Sequence, residues 1–178
     1  MHRAADLDLA RIDNGKWFRW FSDPVYGRGY PSDMVEHFSN LGAFPNGMNF
    51  VQTGDMSAIA VPTDFIGLNY YDRTLARADV PDNDPQIDFP LPKTPENWTE
   101  MGWENYPDGL TGVLCRVYFD YLPRKIYITE NGASYSTGPD ENGNVPDVNR
   151  TNYLKSHLRR RIARCRQVCH WRDTLSGR

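Results

Sequence analysis

The chain has 178 residues, with 20 Lys and Arg against 23 Asp and Glu, a formal net charge of −3, 13% aromatic residues and 13 prolines. Nearly balanced charge, scattered in sign, supplies no basic face, so neither nucleic acid nor an anionic membrane is expected as a partner. The aromatic content argues against a disordered chain, and no apolar run reaches the ~20 residues that span a bilayer.

The opening Met1-His2-Arg3-Ala4-Ala5-Asp6 lacks the apolar core of a secretory signal, and the expected location is the cytoplasm. Ala4, Ala5, Leu7, Leu9, Ala10 and Ile12 predict a helix over 4–13, with Asn14-Gly15 as its stop. Trp17-Phe18-Arg19-Trp20-Phe21, followed by Ser22-Asp23-Pro24, reads as an aromatic cluster ending in a turn, a loop or helix end packed against a core. Pro31-Ser32-Asp33 opens a short helix through Phe38, with Ser32 or Asp33 available as its cap. Residues 64–71, Asp-Phe-Ile-Gly-Leu-Asn-Tyr-Tyr, form a nearly continuous apolar run that predicts a strand in a parallel sheet covered on both faces. A connection from about Arg73 to Asn97 carries Pro81, Pro85, Pro90, Pro92 and Pro95, a length that marks either a functional or a disordered loop.

Leu110, Val113, Leu114, Val117, Tyr118 and Tyr121 recur at helical spacing and predict an amphipathic helix stopped at Pro123. Lys125-Ile126-Tyr127-Ile128-Thr129 is a short β-branched strand with Glu130-Asn131-Gly132 at its end. Strand, loop, helix, strand is the order of a parallel crossover. Asn142-Gly143 marks a turn, and a last helix starts near Asp147 with Tyr153, Leu154, His157 and Leu158. Three cysteines, Cys115, Cys165 and Cys169, cannot all pair among themselves and are read as reduced thiols.

A carboxylate directly after a parallel strand projects from the carboxyl edge of the sheet, where α/β enzymes place their chemistry. Glu130 is that carboxylate, although Thr-Glu-Asn-Gly alone also fits a solvated strand end. The other strand ends in Asn69 and Tyr71, whose side chains can donate hydrogen bonds that keep a neighbouring carboxylate ionised and oriented. A fixed carboxylate beside Tyr, Asn and Trp suits a sugar site: aromatic faces stack on pyranose rings, and a carboxylate can attack an oxocarbenium-like centre.

Six segments then fall in one order. They are Arg19-Trp20-Phe21 with Asp23-Pro24; Tyr30-Pro31-x-x-Met34; residues 64–71; Met101-Gly102-Trp103-Glu104 with Tyr106-Pro107-x-Gly109-Leu110; Ile128-Thr129-Glu130-Asn131-Gly132; and Asp147-x-x-Arg150-x-x-Tyr153-Leu154-x-x-His157-Leu158. Over roughly residues 4–158 the chain thereby resembles glycoside hydrolase family 1, the retaining β-glucosidases and β-galactosidases. The resemblance implies an α/β fold, an incomplete (β/α)8 TIM barrel running from the helix before strand six through the helix after strand seven. It implies Glu130 as the catalytic nucleophile and Tyr71 as a hydrogen-bond donor to it, with Asn69 and Trp103 binding substrate, Trp103 on the aglycone side. The implied reaction is hydrolysis of terminal β-D-glucosides, or of small β-linked oligosaccharides, with retention of configuration and with no metal or organic cofactor.

The departures from the family are equally specific. A retaining glycosidase needs a second carboxyl group ~5–5.5 Å from the nucleophile, which this family carries in an Asn-Glu-Pro motif after strand four. No Asn-Glu-Pro occurs in the sequence. The amino-terminal Gln, His and Asn sugar ligands and the Trp and Glu after strand eight are missing too. Since a (β/α)8 barrel takes ~250 residues, the resemblance describes a fragment, expected to be inactive on its own. The alternatives are a non-catalytic module binding sugar or protein, and half of a split enzyme with a complementing amino-terminal half. Sequence alone leaves glucose, galactose and 6-phosphosugar preference open. From Arg159 to Arg178 the chain holds seven Arg and departs from the family. GC-rich codons read in a shifted frame there are compatible with the family's helix end and strand eight, so the domain reading is 1–158 barrel piece and 159–178 off-family basic tail. Cys165-x-x-x-Cys169-His170 lacks the companion pair that a tetrahedral zinc site requires.

Overall fold

The structure is a computed structural model and describes residues 3–79 and 92–168, with side chains up to residue 159. Most of the proline-rich loop, with Pro81, Pro85 and Pro90, lies outside the described residues, as do Cys169, the rest of the tail and the Cys165 side chain. The chain divides into two compact units, Met1–Pro62 with Leu75–Ile87, and Thr63–Thr74 with Asp88–Arg178.

The first unit is helical. Helix α1, Ala4–Asn14, does not stop at Asn14-Gly15 as its sequence predicts. A π-helical turn, Gly15–Arg19, carries it directly into α2, Trp20–Val25. Two contacts explain the overridden stop. Arg19 Nη2 donates to the Arg11 carbonyl at 3.1 Å, a second donor to an acceptor that already takes the Gly15 N–H, and so ties the π-helical turn back onto α1. A Cβ on Gly15 would fall 2.1 Å from Met34 Sδ, so glycine here serves close approach to the fully buried Met34.

The aromatic run therefore lies on helix rather than in a loop, and Pro24 sits inside α2. Trp20 centres a cluster with Tyr30 at 4.6 Å, Phe38 at 5.0 Å and Phe44 at 6.1 Å between ring centroids. Trp17 and Phe21 face outward, 82% and 62% exposed.

Helix α3 covers Ser32–Asn40 with no side-chain cap. Asp33 is committed elsewhere, to Arg19 Nη1 and Nη2 at 3.0 and 2.7 Å and to Arg11. The two guanidinium partners, Arg19 foremost, hold its carboxyl below the usual carboxylate range. A short helix α4, Asp55–Ile59, enters at Gly54 with φ 97°. No periodic signal announces it.

The second unit contains strands β1, Ile66–Asn69, and β2, Ile126–Glu130, joined in parallel through helix α5, Pro107–Tyr121, and followed by α6, Val148–Val168. Helix α5 forms where its spacing predicts it: Leu110, Leu114, Val117 and Tyr121 are all buried on one face. Leu122 ends it in the left-handed region, φ 47° and ψ 47°, one residue before Pro123. Strand β1 is shorter than the apolar run, and the expected cover on both faces is absent among the described residues. Leu68 is buried, but its neighbours Gly67 and Asn69 are exposed. The ladder pairs Ile66 with Ile126, Gly67 with Tyr127 and Leu68 with Ile128, then slips so that Asn69 meets Glu130. Phe65 and Tyr127 form an exposed edge-to-face pair, their centroids 5.3 Å apart.

Candidate active site

The carboxyl ends of both strands gather the predicted residues. Glu130 is the last residue of β2 and Tyr71 lies two past the end of β1. The Tyr71 hydroxyl donates to Glu130 Oε2 at 2.5 Å. That bond to a carboxylate holds the Tyr71 phenol above its ordinary pKa, because the proton it shares stabilises the neutral form. Asn69, opposite Glu130 in the ladder, accepts the Thr129 hydroxyl on its Oδ1 at 2.6 Å. Its side-chain oxygen is thus turned toward the residue before Glu130. The half-buried Trp103 ring lies 5.1 Å from the Tyr71 ring at an interplanar angle of 46°, so two aromatic faces converge beside the carboxylate.

Beneath these residues lies a layer of polar support that sequence reasoning did not single out. The Asn131 amide nitrogen donates to the Tyr70 carbonyl at 2.8 Å and to the Tyr153 hydroxyl at 3.3 Å. That hydroxyl donates in turn to the Tyr71 carbonyl at 2.8 Å. Arg73 grips the buried Glu104 in a bidentate pair at 2.6 and 3.0 Å, with its guanidinium carbon 3.7 Å from the Tyr106 ring centroid. The Tyr70 hydroxyl donates to the Tyr106 carbonyl at 2.7 Å. Beside this pair, partial burial and then the Glu104 charge push the Asp72 carboxyl up. The available signals were slight: Tyr153 and His157 at an i, i+4 spacing, and Asn131 following the carboxylate. Among the described residues no three His, Cys, Asp or Glu side chains gather as a metal site.

A carboxylate at the carboxyl edge of parallel strands, hydrogen-bonded by a tyrosine and flanked by aromatic rings, defines a site of the α/β-barrel type. Comparison with known proteins names the group. The profile of Glycosyl hydrolase family 1 matches residues 4–168, and the chain belongs to that family. It is 38% identical over 141 residues to Beta-glucosidase A of Thermotoga maritima, covering 78% of this chain and 29% of that relative. It is 36% identical over 162 residues to a Beta-glucosidase of Agrobacterium sp., covering 86% and 32%. Among solved structures, a psychrophilic beta-glucosidase from Micrococcus antarcticus superposes with a TM-score of 0.75 at 33% identity, covering 90% of this chain and 38% of that one. The Thermotoga maritima enzyme in complex with castanospermine superposes at 0.68 with 32% identity, covering 88% and 33%. The chain thus has a partial barrel-like α/β structure of this family and spans about a third of the length of the relatives it matches.

Proposed function

We propose that residues 4–158 correspond to the barrel segment from the helix before strand six through the helix after strand seven, with β1 and β2 as strands six and seven, and that Glu130 is the nucleophile of a retaining β-glucosidase site. The observation that carries this reading is the Tyr71 hydroxyl on Glu130 Oε2, within a chain of this family. A carboxylate with one oxygen held by a phenol keeps the other free to attack. In the reaction, Glu130 Oε1 bonds to the anomeric carbon as the glycosidic C–O bond breaks. The leaving oxygen takes a proton from a general acid. Water, giving its proton to the same residue now acting as base, then attacks the anomeric carbon from the face the leaving group vacated and releases Glu130 as carboxylate. Asn69 and the Trp103 ring are assigned to substrate contact, Trp103 toward the leaving group.

Asn-Glu-Pro is absent from the sequence, and general-acid assistance contributes about 10²–10⁴-fold. The chain alone is accordingly assigned little or no turnover. Nitrophenol release from an aryl β-glucoside tests this. The chain alone is expected to give none above background, and turnover is expected when strands one to five and strand eight of a family relative are supplied in trans, lost again in Glu130→Gln. Release by the chain alone that Glu130→Gln abolishes overturns the inactivity. Complemented activity indifferent to Glu130→Gln overturns the nucleophile.

The paired Tyr71 and Trp103 rings favour one second reading, a non-catalytic sugar-binding module. Saturable quenching of Trp fluorescence by cellobiose, with no turnover in the complemented mixture, selects it.

A further inference from the structure

At the carboxyl end of the ladder, the Thr129 hydroxyl on Asn69 Oδ1 at 2.6 Å links the strands, and just past it the backbone pairing stops. Its last bond runs from the Tyr70 amide to the Glu130 carbonyl at 3.0 Å, and the register slips between Leu68 and Asn69, just where the site begins. Yet Tyr71 and Glu130 must meet within one hydrogen-bond length, and a carboxylate bond is worth most when neither partner has to be ordered at the moment of use. The anchor comes from α6. The Tyr153 hydroxyl uses both its donor and its acceptor capacity, giving its proton to the Tyr71 carbonyl and taking one from the Asn131 amide. The second proton of that amide goes to the Tyr70 carbonyl. One hydroxyl therefore ties the residue that carries the phenol to the residue that follows the carboxylate.

We propose that Tyr153 is a positioning residue for the Tyr71–Glu130 pair, its hydroxyl setting the separation of the two strand ends that carry them. This rests on the reading of Glu130 and Tyr71 as the reacting pair. Three features suit Tyr153 to the task. It is fully buried, so no water competes for the hydroxyl. Its ring is clamped by His157, stacked at 4.0 Å and 28°, whose Nδ1–H donates to the Tyr153 carbonyl at 2.8 Å. Burial pushes its phenol up to about 12, so the proton it must give to the Tyr71 carbonyl is retained across the range in which a glycosidase works. Phenylalanine fills the same volume but supplies neither bond.

The test reads the pair directly in the full 178-residue chain, labelled with 13C at tyrosine Cζ and with the Tyr71 resonance assigned through Tyr71→Phe. In the wild type Tyr71 is expected to titrate above an ordinary phenol, because of its bond to Glu130. Glu130→Gln is expected to bring it down, and Tyr153→Phe to bring it down by at least half as much with far-UV circular dichroism unchanged. Asn131→Ala, which cuts the other arm, provides a second variant if Tyr153→Phe folds poorly and is expected to move Tyr71 in the same direction. His157→Phe keeps the hydroxyl and an aromatic ring against Tyr153 while losing the bond to the Tyr153 carbonyl, and is expected to move Tyr71 by less than half as much as Tyr153→Phe does. A Tyr71 titration that Glu130→Gln shifts, but Tyr153→Phe and Asn131→Ala do not, overturns the positioning role and spares the site. An equal shift in His157→Phe overturns it in favour of packing. No shift in Glu130→Gln removes the pair itself, and both readings with it.

Discussion

The Tyr71 hydroxyl and the Glu130 carboxylate, 59 residues apart in sequence, meet at 2.5 Å where two parallel strands end. A phenol 2.5 Å from a carboxylate oxygen is a short, charge-assisted bond, and it exists only because α5 returns the chain so that β2 pairs alongside β1. Its value to the site is directional, since it holds one carboxylate oxygen and leaves the other free.

Three phenols around that bond are held above their ordinary range: Tyr71 by Glu130, and Tyr70 and Tyr153 by burial. The unfolded chain loses these protons near pH ~10 while the folded chain keeps them longer. Between the two values the folded state binds more protons, so stability is complete below about pH 10 and declines as pH rises through the folded values. Urea midpoints are expected to be flat up to that point and to fall above it, less steeply in Tyr71→Phe. A midpoint that stays level into strong alkali refutes the assignment.

Glu104 is 1% exposed and its charge is answered by Arg73. Removing the guanidinium leaves a carboxylate buried without its cation, so Arg73→Ala is expected to cost about 3–5 kcal/mol. Arg73→Lys recovers only part of this, because an ammonium cannot make the bidentate pair or lie over Tyr106 as a planar group. Denaturant unfolding followed by near-UV circular dichroism gives both numbers. Equal stability of the Lys variant and the wild type contradicts the geometric argument.

A Cβ on Gly109 would fall 2.0 Å from the Tyr70 hydroxyl oxygen and 2.9 Å from its Cζ. Gly109→Ala should therefore destabilise by about 1–3 kcal/mol through overpacking, despite alanine's better helix propensity. Adding Tyr70→Phe deletes the closer atom and is expected to return part of the loss, whereas in the wild-type background Tyr70→Phe removes the bond to the Tyr106 carbonyl and is destabilising. A double-mutant cycle reports the sign, and strict additivity would show that the two side chains do not meet.

In the helical unit, the Asp33 carboxyl is held below its usual pKa by Arg19 and Arg11. A depressed carboxyl stabilises the fold above its unfolded value, about pH 4, and that contribution is lost as pH falls through the folded value. Asp33→Asn is expected to lower stability at neutral pH and to flatten the decline in acid. Thermal unfolding at neutral and acid pH measures both, and an unchanged acid limb would assign the decline to other carboxylates.

Local pattern was sufficient where local pattern is what forms the element. Helix α5 follows from apolar spacing, β2 from β-branched residues, and both Glu130 and Tyr71 from their places at strand ends. The same reasoning misjudged Asn14-Gly15, because a glycine written as a stop is kept helical by Arg19 reaching back to the Arg11 carbonyl and by the space Met34 occupies. It could not see Asp33 as an ion-pair centre rather than a cap, since its partners Arg11 and Arg19 lie 22 and 14 residues away.

By itself, then, the sequence determined the family, helix α5, the two strands and the place of Glu130 at the end of β2, since these are written in residue types at short spacings. Only the tertiary structure decided which groups face one another at the site. The Tyr153 hydroxyl reaches the Tyr71 carbonyl across 82 residues, and no periodicity encodes such a contact. It arises from the packing of α6 against α5 and from the need of a buried hydroxyl for partners.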